Sequence, residues 1–124
     1  MIALDAYALV ALLADEPAAA EVEELLRRGG IGVSAVNLAE AIDVLVRVHS
    51  IPGDDALAAV EPLLDGAIDV LPATREQAVR AAELRSHHYE RNERPLSLAD
   101  CFLLAAAGEA VATADPVVAT VARS

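Results

Sequence analysis

The chain has 124 residues, 56% of them hydrophobic but only 2% aromatic, and its 9 basic and 20 acidic side chains give 9 − 20 = −11 at neutral pH. Such a length suits one domain with its own core, here spanning residues 1–124, and leaves no room for a second. The charge excludes nucleic-acid binding that leans on a long-range basic field, and no uncharged apolar run approaches the roughly 18 residues of a membrane span.

All nine basic residues are arginines, so any role with nucleic acid needs local compensation from placed arginines or metal ions. The same charge equally suits a basic protein partner. The apolar surplus exceeds what a small core hides, which points to a partner-covered face and a homodimer. A lone Cys101 agrees with a reducing compartment. Met1 to Leu4 carries no basic side chain and Asp5 interrupts the apolar stretch, so nothing there argues for export. The expected location is the cytoplasm.

In chain order, Ile2 to Leu4 reads as a short buried strand and Ala6 to Ala14 as a helix. A second helix runs from Pro17 to Arg28, with proline in its first turn and Arg27-Arg28-Gly29-Gly30 as a dipole-matched glycine stop. Ile31 to Val33 is the second strand. Asn37 to about His49 follows as an amphipathic helix with Leu38, Ile42, Leu45, Val46 and His49 on its apolar face. Asp54-Asp55 starts another helix, which Pro62 is expected to kink or end.

Ala67 to Leu71 is a third strand, Thr74 to about Arg91 a long helix and Ser97 to Gly108 another. Val111 to Thr113 is a last strand before a segment from Pro116 to Ala122. Strands alternating with helices predict an α/β fold, a parallel sheet covered on both faces. Sites in such folds form beyond the carboxyl ends of the strands, where strand order reverses.

Four acids fall where that sheet would gather them: Asp5 and Asp115 follow strands, while Glu40 and Asp100 are expected in the first turn of their helices. Two carboxylates about 4 Å apart repel by about 4 kcal/mol even at an effective dielectric of 20, so such a pocket calls for a cation. Oxygen ligands favour Mg²⁺ or Mn²⁺. Each acid also has a plain alternative as a helix cap. Asn37-x-x-Glu40 and Ser97-x-x-Asp100 have capping-box spacing, and Asp115-Pro116 fits an N-cap followed by proline. Thr74-x-x-Gln77 is a capping box with no carboxylate at all.

Cys101 reads as a small core hydrophobe, because no activating histidine lies in an identifiable motif. His87 and His88 lack metal-ligand spacing and belong on the solvent face of the long helix. Arg80, His87 and Arg91 share one helical face. However, Glu76–Arg80, Glu83–His87 and Glu90–Arg94 are i,i+4 pairs with the acid first, which favours a solvated, ion-paired surface. Arg94, shortly before Asp100, is the better candidate for touching a substrate.

The ordered set of strand-Asp5-helix, Val33-Ser34-Ala35-Val36-Asn37-Leu38-Ala39-Glu40, Leu96-Ser97-Leu98-Ala99-Asp100-Cys101-Phe102 and Ala112-Thr113-Ala114-Asp115 resembles a PIN domain of the VapC toxin type across nearly the whole chain. The resemblance implies a PIN-like α/β/α sandwich and a Mg²⁺- or Mn²⁺-dependent endoribonuclease. It also implies a small antitoxin whose peptide plugs the groove, and products with a 5′-phosphate and a 3′-hydroxyl. Asp5, Glu40, Asp100 and Asp115 match the acidic quartet, with Asp5 and Asp100 as the most direct metal ligands, and Thr113 matches a hydroxyl position. Many relatives place Ser or Thr directly after the first Asp, whereas Ala6-Tyr7 follow here; Tyr7, Ser34 or Asn37 are the substitutes available to support Asp5.

Two other readings compete. A phosphoryl-transfer domain with an Asp nucleophile also puts acids at strand ends, but such domains commonly need a Lys, and this chain has none. A non-catalytic acidic protein-binding module would need no convergence of the four acids.

Overall fold

The computed structural model of the chain describes residues 1–89, 91, 96–106 and 110–112. Arg94, Thr113, Asp115 and the segment from Pro116 to Ala122 lie outside the described residues. The elements run β1 (Ile2–Leu4), α1 (Ala6–Leu13), α2 (Ala19–Arg28), β2 (Ile31–Ser34), α3 (Ala35–Arg47), α4 (Gly53–Leu64), β3 (Ile68–Leu71), α5 (Arg75–His88), α6 (Leu98–Ala106) and β4 (Ala110–Ala112).

All described strands are parallel, in the order β3-β2-β1-β4. The chain moves outward from β1 through β2 to β3 and then returns to the other side of β1 with β4. Strand order therefore reverses beside β1, and Asp5 is the first residue beyond that strand. The register pairs Ile2 with both Ile31 and Ala110.

The sheet is covered on both faces because alternate residues of its strands point to opposite sides. Leu4, Ile31, Val33 and Ile68 pack with Leu9 and Val10 of α1, Val22 of α2, Ala41, Val44 and Leu45 of α3, and Ala56 and Val60 of α4. Ala3, one step along β1, faces the other way, against Ala81 of α5 and Leu96, Cys101 and Leu103. The α/β/α sandwich expected from the alternation of elements is the observed fold.

Several local expectations need correction. α3 starts at Ala35 because Ser34, rather than Asn37, is its N-cap, the Ser34 Oγ accepting from the Asn37 amide at 3.0 Å. Its buried face is Asn37, Ala41, Val44 and Leu45; Val46 is largely exposed and His49 lies beyond the helix, where its Nε2 sits 3.4 Å from Glu16. α2 starts at Ala19, two residues after Pro17, since the turn closed by the Ala19 amide on the Glu16 carbonyl comes first. The glycine stop is as expected, with Gly29 and Gly30 both at positive φ.

α4 runs through Pro62 to Leu64. Proline lacks the N–H that would bond the Ala58 carbonyl, but both residues are exposed, so water reaches the freed oxygen. Only one helical bond is forfeited. Pro62→Ala restores it and removes a penalty of up to about 3 kcal/mol, less up to about 1 kcal/mol for the added freedom of the unfolded chain. A rise in melting temperature is expected, measured by calorimetry; a fall would mean that the ring itself is needed.

Candidate functional site

The carboxyl edge of the sheet places three of the four acids near one another. Asp5 ends β1 and caps α1: its Oδ1 accepts from the Ala8 amide at 2.7 Å, and the residue is buried. Asp100 lies in the first turn of α6, where a reciprocal box is made. The Ser97 amide donates to Asp100 Oδ2 at 3.1 Å and the Asp100 amide donates to Ser97 Oγ at 3.0 Å. The capping roles weighed for these acids are thus real at Asp100, and Asp5 has one too.

Glu40 is different. Because α3 begins at Ala35 with Ser34 as its cap, Glu40 stands in the second turn, where no free amide remains for it to accept from. The expected Asn37-x-x-Glu40 capping box does not exist. Glu40 is nonetheless half-buried, and its affinity for a proton is raised above the usual carboxylate value of 4.5, first by burial, then by the charges of Asp100 and Asp5, while a hydrogen bond from Asn37 draws it partly back. Glu40, on α3, therefore feels the charges of carboxylates on two other elements, Asp5 after β1 and Asp100 on α6.

Asn37 holds this edge together. Its side chain is almost wholly buried; its Oδ1 accepts from the Ser34 hydroxyl at 2.5 Å, and its Nδ2 donates to the Ala99 carbonyl at 3.1 Å. That last bond joins the start of α3 to the start of α6 across 62 positions of sequence. Of the candidates to stand in for a hydroxyl beside Asp5, Tyr7 is 62% exposed, whereas Ser34 and Asn37 are buried at the edge. The sequence signal for Asn37 was its buried spacing with Ala41, Val44 and Leu45, a polar residue on an apolar stripe.

Cys101 is fully buried beside Ala3 and Leu103, and burial with the neighbouring Asp100 charge pushes its thiol up, partly opposed by Arg85. It is a core residue, as expected. His87 is exposed; His88 is half-buried rather than on the solvent face, with the two rings edge to face at 5.1 Å. α5 stops at His88, so Arg91 lies in the following turn and does not share a helical face with Arg80 and His87. Among the described residues the expected Glu76–Arg80 and Glu83–His87 pairs do not reach ion-pair distance. Acid–arginine pairs that do form among the described residues include Glu23–Arg27, Glu24–Arg27, Glu24–Arg28 and Asp43–Arg47.

The donors near this edge are carboxylate oxygens, the set that suits a hard divalent ion, and the one nearby thiol is buried and protonated. No three carboxylate, imidazole or thiol groups among the described residues are gathered closely enough to enclose an ion. Asp115 is not among those residues.

A family model of the PIN domain matches residues 2–123. The chain belongs to the PIN domain family. PIN domains are typically nucleases and are generally metal-dependent. The PIN fold of this chain is similar to the crystal structure of Mycobacterium tuberculosis VapC20, a sarcin-ricin loop cleaving toxin. The TM-score is 0.67 at 23% identity, over 85% of this chain and 79% of that one. At that identity the likeness carries the fold. No curated protein sequence matches the chain. No helix of the described residues is long and apolar enough to cross a membrane.

The crowding at Glu40 has a consequence for stability. Its folded-state proton affinity is raised above 4.5, so in the window that opens at 4.5 and runs upward the folded chain binds more protons than the unfolded one. Glu40 thus opposes folding at neutral pH, and that opposition fades as pH falls through the window. Glu40→Gln keeps an oxygen for Asn37 and is expected to melt at a higher temperature than the parent at neutral pH, with the difference vanishing below 4.5. Thermal melts of both chains over this pH range measure it; a constant difference would disconnect Glu40 from the other acids.

Proposed function

We propose that this chain, as one domain over residues 1–124, is a metal-dependent endoribonuclease and the toxin of a toxin–antitoxin pair. The observation that carries the reading is the placement of Glu40: a half-buried carboxylate with no cap to make, set against Asp5 and Asp100. An uncompensated cluster costs stability, so its retention argues for a cation that offsets it. Membership of a typically nucleolytic family supports the same reading.

In this reading Asp5, Glu40, Asp100 and Asp115 hold Mg²⁺ or Mn²⁺, with Asp5 and Asp100 as the most direct ligands. Such an ion lowers the pKa of bound water and polarises a phosphoryl oxygen. The protein's own part is positioning. The cap bonds to Ala8 and Ser97 fix the carboxylates of Asp5 and Asp100, and Asn37 fixes the spacing of α3 and α6 through Ala99. Glu40, set against Asp5 and Asp100, adds a third carboxylate to the donor set. Thr113, Ser34 and Asn37 support the acids, and Arg94 touches the substrate.

The partners in this reading are an RNA substrate, a small antitoxin and a second copy of the chain, in the cytoplasm. VapC20 is a sarcin-ricin loop cleaving toxin, and an RNA loop or single strand is the substrate class inferred here, since unstacked bases there can be read. Two observations weigh against an Asp nucleophile. Asp5 is buried and one of its oxygens is already engaged with the Ala8 amide.

Asparagine caps helices about as well as aspartate, so Asp5→Asn and Asp100→Asn should keep α1 and α6. They remove the charge that holds a hard cation, and cleavage of an RNA pool in Mn²⁺ is expected to fall by about two orders of magnitude or more. The melting temperature without metal should stay level or rise. Full cleavage by both variants would sink the nuclease assignment.

Mg²⁺ or Mn²⁺ should also stabilise the parent. At ten times its dissociation constant, an ion that binds only the folded chain adds about 1.4 kcal/mol, worth several degrees of melting temperature for a chain of this size. Calorimetry against a Na⁺ control of equal ionic strength tests this. Identical melts would count heavily against a metal site.

A further inference from the structure

A cleft of about 460 Å³ opens between the second half of α5 and the first residue of α6, lined by Ala82, Arg85, Ser86, Tyr89 and Leu98. Arg85 is half-buried and fixed: its Nε donates to the Leu96 carbonyl at 3.0 Å, and its guanidinium lies 4.7 Å from the centre of the Tyr89 ring. Arg27, Arg28 and Arg47 are each engaged by an acid on their own helix. Arg85 has no acid within ion-pair distance among the described residues, so both its terminal nitrogens stay available to an anion. Tyr89 is 43% exposed and Leu98 52% exposed, an aromatic ring and an apolar side chain facing solvent beside a cation. Leu98 is two residues from Asp100.

We infer that this cleft binds one nucleotide of single-stranded RNA. Arg85 takes the phosphate and the open face of Tyr89 stacks on the base, with Leu98 as its apolar floor. The inference rests on the ribonuclease reading. Charge complementarity selects the occupant: in a chain of −11, a fixed arginine that no acid pairs with among the described residues, stacked on an exposed ring, matches a ligand that carries a phosphate and a π-face together. Arg85 also answers the need for local compensation of the acidic field. Phosphate contact supplies position, while stacking tolerates any base, so the site sets register along the strand rather than sequence.

The test is binding of a fluorescent single-stranded RNA 12-mer to the full chain in EDTA, where cleavage is suppressed, beside cleavage of the same RNA in Mn²⁺. Tyr89→Ala should weaken binding by about 5- to 100-fold, the span of one base–aromatic stack, and Tyr89→Phe should restore it. Arg85→Gln should weaken binding and reduce the dependence of log affinity on log salt by about one counterion. Val79→Ala, at an exposed α5 position outside the cleft, should change neither. Parent-like binding and Michaelis constants in Tyr89→Ala and Arg85→Gln would overturn the subsite while leaving the ribonuclease reading intact. So would losses matched by a fall in melting temperature, which would make the two residues struts, or equal competition by polyglutamate, which would make the cleft an acidic-peptide site. A parent chain that neither binds nor cleaves RNA would overturn both readings.

Discussion

The hydrogen bond from the buried Asn37 side chain to the Ala99 carbonyl, 3.1 Å long, is the tie on which the arrangement of the acids depends. Parallel strands deliver helix starts to one edge of the sheet, but they do not set how far apart those starts stand. Asn37 does so by engaging Ser34 at its own cap and Ala99 one residue before Asp100. A buried amide that lost these partners would leave polar groups unsatisfied at about 1–3 kcal/mol each. The geometry is therefore strongly preferred over looser alternatives, and the repulsion that Asp5 and Asp100 exert on Glu40 is held in place rather than relaxed.

That repulsion is the cost of a site placed at the reversal of strand order. Capping accounts for two of the carboxylates, since Asp5 and Asp100 each satisfy amides that would otherwise be orphaned. Glu40 has no such compensation. A glutamine there would serve the fold as well or better, which is why its presence points to chemistry rather than to architecture. The arginines divide in the same manner. Those on α2 and α3 are absorbed in exposed ion pairs of small energetic value, whereas Arg85 is held rigidly by a backbone carbonyl and a ring with its charge unspent.

A parallel sheet with both faces covered was legible from the chain, because short apolar runs alternating with amphipathic segments allow few architectures; the order β3-β2-β1-β4 was not. That Asp5 and Asp100 would come near Glu40 could be read from strand ends and helix starts, although Glu40 stands in the second turn of α3 rather than the first. The cap of α3 was misplaced because Ser34 and Asn37 are both good N-caps three residues apart, and only the β2 pairing of Ser34 with Leu71 ends the strand at the former. Pro62 did not stop α4, since an exposed last turn lets water take the orphaned carbonyl. Of the i,i+4 pairs expected on α5, Glu76–Arg80 and Glu83–His87 did not form whereas Asp43–Arg47 on α3 did: a pair worth only a few tenths of a kcal/mol in water does not dictate its own rotamers, so spacing alone does not fix which pairs close.

By itself the sequence determined which residues carry charge, which segments are strands or helices and that the elements alternate, since these follow from local periodicity and backbone preference. The tertiary structure decided which polar groups meet. Asn37 finding Ala99 and Arg85 finding Leu96 are contacts between helices whose relative rotation is set by packing in the two cores. The charge felt by Glu40 likewise comes from two other elements. A hydrogen bond or a Coulomb term falls away over a few ångströms, so its partners are fixed only when the whole sandwich has closed.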